Sequence, residues 1–539
     1  MALFGIINGI YKCYKSEMYN MQRFRNFWLW LVFGLLGIIF LALFGYSLCA
    51  SYLLDETQAG DYPVFIWNPV ALTVFLLVIM LMLVFVVSKL KVSIVLAKKM
   101  TVLFTLIAGC AWVLLIPMKP RFDQGACYNL GKMLVNGDIT AFTESVYING
   151  YPFQLGYVFY RALLEMIFGS NSHLACAILN VGFLALMQGV ILHESAIALR
   201  NTKAYHSVML GMCGLMITCL QPIMLTNLLY GNIPGISLAA CSAGLVLRFY
   251  RKPSAWAAIA SVLLLELACL LKLNNSIVCI ALCLSLLLAA LTQKQNRTAT
   301  VVFAICLLVP LSSAAMLQKN TEAVLHCRFG SAVPRMAHLV MGLMDNDRMS
   351  GWYNGYTLCD NFVSCSETEN RARVLNDLMQ RLQELSASPV ETAKFFKRKI
   401  TSTWLEASFG ALQINRGANL LTPTFPDWKQ YIFSGKRAKI IILFFTTWTQ
   451  TLYLGFGTGC IRLLKLCKQK GNAWFAPLIP ALIVFGAFFY HALFETKSLY
   501  VFSYLPLMIP ISAWGLEGLF VYVKKSKSKL CQCRIMKKT

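Results

Sequence analysis

Long apolar stretches separated by short polar or basic segments dominate the chain. A helix needs about 20 apolar residues to cross the hydrocarbon core of a bilayer, and most of these stretches reach that length with few or no charges. The pattern therefore predicts an all-α, polytopic membrane protein with about twelve transmembrane helices. The predicted spans are about 27–50, 68–88, 101–117, 173–196, 207–226, 233–250, 256–272, 275–292, 299–317, 439–464, 473–491 and 499–522.

The segment 153–168 (FQLGYVFYRALLEMIF) is nearly as apolar, but we interpret it differently. It is short, and it carries Arg161 and Glu165 in its middle. A lipid-facing span would have to bury both charges at a large free-energy cost. We therefore predict an amphipathic helix that lies at the membrane interface.

The composition excludes several classes of protein. Lys and Arg number 48 against 23 Asp and Glu, which gives a net charge of +25, yet only 13% of residues are charged and the mean hydropathy is +0.63. A soluble domain carries about a quarter charged residues, and a disordered chain is far less apolar. Nucleic-acid binders cluster their bases on a folded soluble face, whereas these lie in short patches between apolar runs, so we predict no nucleic-acid partner.

The basic patches also predict the orientation. With the N-terminus in the cytoplasm, each short cytoplasmic segment is basic, as the positive-inside rule requires. Counting 153–168 as a thirteenth span would move Arg200, Arg248 and Lys294 to the outside. We therefore predict a multi-pass membrane protein with both termini cytoplasmic, and the compact twelve-span layout favours a bacterial plasma membrane.

Two predicted outer segments, 118–172 and 318–438, are too long to be simple connectors, and loops of that size usually carry function. In the second, a helix with Lys394, Lys397, Arg398 and Lys399 before Trp404 is predicted to return to the membrane interface. The predicted parts of the chain are 1–94 (a cytoplasmic segment and two helices), 95–317 (a transmembrane core with the outer loop 118–172), 318–438 (a mostly helical outer segment), 439–523 (three helices) and 524–539 (a basic cytoplasmic tail).

Cys359 and Cys365 lie in the second outer segment and enclose five residues. In an oxidising compartment they could form a disulfide, and two unbridged thiols are the equal alternative.

A carboxylate follows the third span directly. Asp123 and Gln124 lie just beyond Lys119 and Arg121. An acid beside bases at the membrane surface is suited to activate a hydroxyl next to an anionic lipid phosphate, and the bases would keep it ionised. The alternative is an N-cap, in which Asp123 satisfies free amides of a helix over 124–135.

Other polar residues occupy the same predicted side. Lys272 closes the seventh span, where it either snorkels to the headgroups or binds a lipid-linked phosphate. Glu495 and Lys497 lie in a tight turn between the last two spans and would either serve a site or pair with each other. Tyr230 lies in a Tyr-Gly-Asn-Ile-Pro sequence that is also typical of an ordinary turn.

Signatures of soluble enzymes are missing. The chain has no P-loop, no GxSxG elbow and no HExxH, and only six His residues. We predict no cofactor and no metal ligands, and a divalent metal remains an open alternative.

The order and sidedness of these motifs resemble the GT-C superfamily of membrane glycosyltransferases. The likeness covers about 95–520 and comprises the acid after the first core span, the YPxQ element at Tyr151–Gln154, the Tyr-Gly-x-x-Pro turn, the outer Lys-x-Asn and the final Glu-x-Lys-x-x-Tyr hairpin. It is strongest to bacterial enzymes related to protein O-mannosyltransferases and aminoarabinose transferases, and the first two spans look like an N-terminal addition.

The resemblance implies transfer of a sugar from a polyprenyl-phosphate carrier, in one inverting displacement, to a glycan, lipid or protein acceptor on the outer face of the cell envelope. Family members often carry a second acid where this chain has Gln124, which leaves hydrogen bonding to that residue. The implied roles are Asp123 as general base, assisted by Gln124; Arg121, Lys272 and Lys497 as donor-phosphate ligands; and Tyr151, Gln154, Tyr230 and Glu495 as the lining of the sugar or acceptor pocket.

Two other functions stay open at this point. A transporter or lipid flippase predicts charges inside the membrane, for which Glu266 in mid-span and Glu194 near an inner end are candidates. A non-catalytic assembly protein would present 318–438 to a partner.

Overall fold

A computed structural model describes residues 2–55, 61–292, 296–329, 333–363, 365–416, 432–433, 435–467 and 473–536. Helices dominate this part of the chain, which confirms the predicted all-α class, and Lys294 and 417–431 lie outside it. Up to the second outer segment the helices are α1 Ala2–Cys49, α2 Val70–Lys89, α3 Ile94–Leu115, α4 Asp123–Val135, α5 Thr140–Thr143, α6 Val146–Gly150, α7 Leu155–Phe168, α8 Ser172–Leu199, α9 Tyr205–Thr218, α10 Leu220–Met224, α11 Asn232–Arg251, α12 Ala255–Leu271, α13 Ser276–Thr292, α14 Arg297–Cys306 and α15 Ser313–Val324.

Helices also make up most of the remaining described chain. They are α16 Arg335–Leu343, α17 Asp360–Val363, α18 Glu367–Ala387, α19 Pro389–Trp404, α20 Ala411–Arg416, α21 Gly435–Cys467, α22 Phe475–Leu493, α23 Ser498–Val501 and α24 Leu505–Met536. Short 3-10 helices join several of them, among them Pro152–Gln154 and Leu273–Asn275.

The number of spans is close to the prediction. Ten helices of the described chain are long and apolar enough to cross a membrane, which supports a multi-pass membrane protein. The pair α9 and α10, bent by 42°, would make an eleventh. The predicted seventh span, α12, has only 17 residues, so the count of twelve stays a prediction.

One element departs from the predicted all-α fold. Residues Ala50–Leu54 (β1) and Pro63–Trp67 (β2) form a two-stranded antiparallel sheet in the connection between the first two predicted spans. Aromatic and β-branched residues are typical of strands, and this segment contains Tyr52, Phe65 and Trp67. The backbone N–H of Tyr52 donates to the Leu405 carbonyl at 3.1 Å, so the hairpin packs on the end of α19.

The first outer loop is helical, as predicted. In α4, a Cβ added to Gly131 would lie 2.9 Å from the backbone nitrogen of Ala162, so α4 and α7 pack in close contact. Helix α7 ends before Gly169, which has φ 54°, and α8 then folds back beside it, because the Tyr157 hydroxyl lies 3.9 Å from Sγ of Cys176. With 14 residues, α7 is about 21 Å long, which is less than the hydrocarbon core of about 30 Å. The interfacial position of α7 stays a prediction.

Small residues bring the C-terminal helices together. A Cβ added to Gly515 of α24 would lie 2.0 Å from the carbonyl oxygen of Gly455 in α21, and one added to Gly459 would lie 2.1 Å from that of Ile511. Close backbone approach through small residues is the usual packing device between membrane helices. It makes the C-terminal helices a firm support for the loop between α22 and α23.

Cys359 and Cys365 do not form a disulfide, although both lie in the described chain. Cys359 is buried beside the hydroxyl of Tyr151. Burial raises the pKa of its thiol, and the contact with Tyr151 partly offsets that rise. Of the two alternatives, the structure therefore shows the unbridged one.

Candidate active site

Five charged residues from four separate segments converge at one end of the helix bundle. We call Asp61, Asp123, Lys272, Glu495 and Lys497 the charged cluster. The charges of the other four all act on the Asp123 carboxyl, the two lysines lowering its pKa and the two acids raising it. Asp61 precedes β2, Asp123 begins α4, Lys272 joins α12 to the 3-10 helix before α13, and the last two lie between α22 and α23.

Asp123 is not the N-cap of its helix. The N-cap of α4 is Phe122, which makes no side-chain capping bond, and Asp123 is the first helical residue. Phe122 has φ 49°, a conformation that is strained for a bulky residue. Such strain concentrates at functional sites, and here it fixes the direction in which the next residue projects. The capping alternative is therefore excluded, and the carboxylate of Asp123 remains available for chemistry.

The Asp123 carboxyl is exposed but has much protein around it. It is accessible to solvent, yet protein surrounds it closely enough for burial to raise its pKa, and the positive charges of Lys497 and Lys272 only partly offset that effect. Accessibility depends on immediate contacts, whereas the pKa responds to all protein within several ångströms. A carboxyl that is both accessible and desolvated suits a general base, because its raised pKa increases its basicity.

Lys272 is the uncommitted cation of the cluster. Its Nζ lies 3.9 Å from the centre of the Tyr230 ring and 5.9 Å from that of Tyr500. Within the described chain it makes no ion pair at 4.0 Å or less. Burial lowers its pKa to about 8, against the opposing pull of Asp123. Its ammonium group can therefore accept an anionic partner.

Lys497 is already paired, but not with Glu495. Its Nζ lies 2.7 Å from Oδ2 of Asp61. Burial alone would lower its pKa, but the carboxylates of Asp61 and Glu495 hold it above the usual value. The direct Glu495–Lys497 pair that the sequence left open is absent from the described residues.

Glu495 has partners of its own. Its Oε2 lies 3.4 Å from Nδ1 of His338, and the hydroxyl of Tyr500 donates to its Oε1 at 3.1 Å. Burial would raise the pKa of this carboxyl, but the hydrogen bond from His338 and the charge of Lys497 hold it below its usual range. Glu495 is therefore an ionised acceptor at the edge of the cluster.

The remaining residues proposed from the sequence are distributed around the cluster. The backbone N–H of Leu229 donates to Oε1 of Gln124 at 3.1 Å, so Gln124 holds the loop that carries Tyr230. Gln154 donates to the hydroxyl of Tyr230, which places both beside Lys272. Tyr151 donates to the carbonyl of Thr357 at 2.5 Å and so joins the first outer loop to the second outer segment.

Arg121 is the least well placed of the proposed residues. Burial lowers its pKa, and no charge of the cluster contributes to that shift. Among the described residues we find no contact between its guanidinium and the charged cluster.

Sequence reasoning missed Asp61, His338 and Tyr500 as site residues. Asp61 was visible only as an acid of an outer loop, and no local pattern indicated that the hairpin would bring it to Lys497. Tyr500 was part of the final hairpin motif but received no role. His338 carried no signal, because one histidine in an outer helix is unremarkable.

No match was found when the chain was compared with protein-family models, with curated proteins and with solved structures. The likeness to GT-C enzymes therefore rests on the sequence motifs alone and stays a prediction. Within the described part of the chain, no group of three or more His, Cys, Asp and Glu side chains is arranged to hold a metal ion. The carboxylates of the cluster instead face amines, a histidine and a tyrosine hydroxyl.

A buried lysine fastens the outer segment to the site. Lys399 of α19 is fully buried, and its Nζ donates to the carbonyl oxygens of Gly342, Leu493 (3.2 Å) and Phe494 (2.9 Å). The last two carbonyls directly precede Glu495 in sequence. Burial lowers the pKa of Lys399 to about 7. Lys399 therefore fixes the backbone that presents Glu495.

This lowered pKa predicts a pH-dependent stability. The folded protein releases the Lys399 proton near pH 7, whereas the unfolded chain releases it only near the usual pKa of lysine. The free energy of unfolding that this difference contributes is therefore full above the usual lysine pKa and is lost as the pH falls through about 7. The slope is at most about 1.4 kcal/mol per pH unit. We expect the unfolding temperature of the wild type, relative to Lys399→Met, to rise between pH 7 and pH 9. Thermal unfolding in detergent checks this, and a pH-independent difference would contradict it.

Proposed function

We propose that this chain is a membrane glycosyltransferase of the GT-C type, which transfers a sugar from a polyprenyl-phosphate donor to an acceptor on the outer face of the membrane. The observation that carries the proposal is the convergence of Asp123 and Lys272 at one end of the helix bundle, where the charge of each acts on the pKa of the other. A base beside an uncommitted ammonium group is what transfer from a lipid phosphate requires.

In the proposed reaction an acceptor hydroxyl oxygen attacks the anomeric carbon from the face opposite the phosphate. The bond between that carbon and the phosphate oxygen breaks, and the phosphate leaves with the electron pair. Asp123 takes the proton of the attacking hydroxyl. Lys272 stabilises the negative charge that develops on the leaving oxygen, an effect that is strong in a site with little water.

The geometry ranks the three proposed phosphate ligands. Lys272 is free of ion pairs among the described residues, whereas Lys497 would have to exchange Asp61 for the phosphate. Arg121 makes no described contact with the cluster. Lys272 is therefore the primary donor-phosphate ligand. Lys497 assists it by offsetting the negative charges of Asp61 and Asp123.

Aromatic rings and Glu495 form the proposed sugar pocket. The faces of Tyr230 and Tyr500 flank Lys272, and the ionised carboxylate of Glu495 can accept hydrogen bonds from sugar hydroxyls. Gln154 and Tyr151 shape the wall through Tyr230 and the second outer segment. The lipid chain of the donor would lie along the apolar helices, whose exposed side chains face the bilayer. The proposed topology has twelve spans and cytoplasmic termini.

Replacing Lys272 by Met tests the donor site. We expect the affinity for farnesyl phosphate, a short prenyl phosphate, to fall at least about tenfold, since one charge-assisted phosphate contact is lost. Wild-type binding should also weaken above about pH 8, where the Lys272 ammonium loses its proton. Binding is measured on protein in phosphatidylcholine nanodiscs. Lys132→Met, at an exposed position on α4, is the matched control, and equal affinities of both variants would contradict the assignment.

A transporter or lipid flippase is the second candidate, favoured by one observation. The bend of 42° between α9 and α10 is a broken helix of the kind found in transporters. Side chains hold the segment that follows the bend, because Asn415 donates to the carbonyl of Met224 and Asn180 to that of Thr226, each at 3.0 Å. These bonds make it a fixed feature and weaken the case for a moving element.

The two acids inside the predicted spans, Glu194 and Glu266, add little support to the transporter hypothesis. Glu194 pairs with Arg251 at 2.6 Å at the end of α11. Glu266 of α12 is partly exposed and makes no ion pair with a described residue, so it remains a clue for transport.

A further inference from the structure

An arginine contacts two tyrosine rings just outside the charged cluster. The guanidinium carbon of Arg348 is 4.7 Å from the centre of the Tyr62 ring and 5.3 Å from that of Tyr353. Tyr62 belongs to the segment that leads into β2, and the other two belong to the second outer segment. All three side chains are partly exposed. We call these residues the Arg348 site.

The guanidinium of Arg348 has no anionic partner among the described residues. Two nearby carboxylates are engaged elsewhere, because Asp345 pairs with Arg398 and Asp61 with Lys497. The backbone around Arg348 is fixed, since its N–H donates to Oδ1 of Asn346 at 2.8 Å. Cation–π contacts engage the face of a guanidinium and leave its N–H edge free for a planar, bidentate anion.

The Arg348 site is continuous with the charged cluster. Nζ of Lys497 lies 5.5 Å from the centre of the Tyr353 ring, and the charges of Glu495, Lys497 and Asp123 all act on the Tyr353 hydroxyl. A molecule with its hydroxyl at Asp123 can therefore extend past Tyr353 toward Arg348. Lys497, already paired with Asp61, separates this path from the Lys272 side.

We infer that the Arg348 site binds the acidic group of the acceptor, so that the acceptor is a saccharide carrying a carboxylate or phosphate. This inference rests on the proposed glycosyltransferase function. The guanidinium supplies two parallel N–H bonds to the acidic group, and the tyrosine faces stack on the sugar ring. Binding of an acidic ligand would also explain why Arg348 contacts two aromatic rings and makes no ion pair with a carboxylate among the described residues.

The donor phosphate is the other anion that Arg348 could meet. We assign that phosphate to Lys272, because Lys272 adjoins the apolar helices that would hold the lipid chain. Arg348 belongs instead to the second outer segment, where it contacts Tyr62 of the segment that leads into β2. The two sources of the anion are separated by using soluble acidic sugars and a prenyl phosphate as different probes.

The experiment measures binding to the full chain in phosphatidylcholine nanodiscs. The probes are methyl glucuronide and glucose 6-phosphate as acidic sugars, methyl glucoside as the neutral sugar, and farnesyl phosphate. We expect at least one acidic sugar to bind at least about tenfold more tightly than methyl glucoside, the range of one charge-assisted bidentate contact. Arg348→Gln should abolish this difference and leave farnesyl phosphate binding unchanged.

Two further variants keep the result interpretable. Arg371→Gln removes an exposed arginine that pairs with Glu367 at 2.5 Å, and it should bind all probes like the wild type. Arg348→Lys keeps the charge without the planar fork and should bind more weakly than wild type but more tightly than Arg348→Gln. Unfolding temperatures of all variants show that they fold.

Each contrary outcome has a distinct meaning. Equal binding of acidic and neutral sugars would overturn the inference. Loss of farnesyl phosphate binding in Arg348→Gln would also overturn it and assign Arg348 to the donor. A third outcome is that neither the wild type nor any variant binds farnesyl phosphate, while the binding of acidic sugars still depends on Arg348. That outcome would refute the proposed donor and support the anion site.

Discussion

Replacing Asp123 by Asn is expected to reduce sugar transfer by about 10²- to 10⁴-fold, the usual contribution of a general base. Asparagine has nearly the same shape but cannot take the proton of the acceptor hydroxyl. The fold should be unaffected, because Asp123 is not the N-cap of α4 and its charge is not part of a close ion pair. Membrane insertion should therefore match the wild type, and the loss of transfer should fall on kcat.

The pH profile gives this prediction a second readout. Burial raises the pKa of Asp123, so the wild-type rate should fall as the pH drops through that raised value. The same decline should be absent from the residual activity of Asp123→Asn. Glu144→Gln, which removes an exposed acid of the same outer loop, is the matched control and should be fully active. Undiminished transfer by Asp123→Asn would remove Asp123 from the mechanism.

Replacing Gly231 by Ala is expected to disrupt the site through the backbone. The added Cβ would lie 1.9 Å from the carbonyl oxygen of Leu271 and 2.7 Å from its carbon. Because a backbone carbonyl cannot rotate away as a side chain can, the loop bearing Tyr230 must move off Lys272. Overpacking of this kind typically costs about 1–3 kcal/mol.

The measurement combines stability with binding. Gly231→Ala should lower the unfolding temperature and weaken farnesyl phosphate binding together. Gly182→Ala is the matched control, since nothing lies within 4 Å of its added Cβ and it sits inside α8. That control should stabilise the protein by about 0.5–1 kcal/mol, the gain from reduced backbone freedom in a helix. Wild-type binding by a folded Gly231→Ala would show that the contact does not position Lys272.

The sequence predicted much of the fold because a membrane restricts what a chain can do. Charge-free stretches of sufficient length have few alternatives to spanning helices, and alternate connections must emerge on the same side. Asp123, Lys272 and Glu495 were therefore assigned to one surface before any contact was known. The bundle then brings such outer ends into proximity, which is why distant residues meet in the charged cluster.

The choice of partner could not be predicted in the same way. Lys497 pairs with Asp61 and not with Glu495, because a strand pair of only five residues each carries Asp61 to it. Strands this short are weak signals beside long apolar helices. The N-cap alternative for Asp123 also failed, since helix propensity does not show that Phe122 would adopt a positive φ.

Lys399 illustrates a further limit. The basic run in α19 predicted a helix at the membrane interface, and three of its four bases are exposed. The fourth, Lys399, is buried against three carbonyls. Composition cannot show which base of such a run faces inward, because that depends on the loops packed against the helix.

The most direct test of the central claim asks whether the protein breaks the bond between sugar and phosphate. Purified protein in liposomes that contain a polyprenyl-phosphate-linked sugar extract is incubated with acceptor, and free polyprenyl phosphate is quantified by mass spectrometry. The account predicts that polyprenyl phosphate appears with the wild type and not with Asp123→Asn. Movement of the intact lipid-linked sugar between leaflets, with no polyprenyl phosphate released, would contradict it and support a flippase.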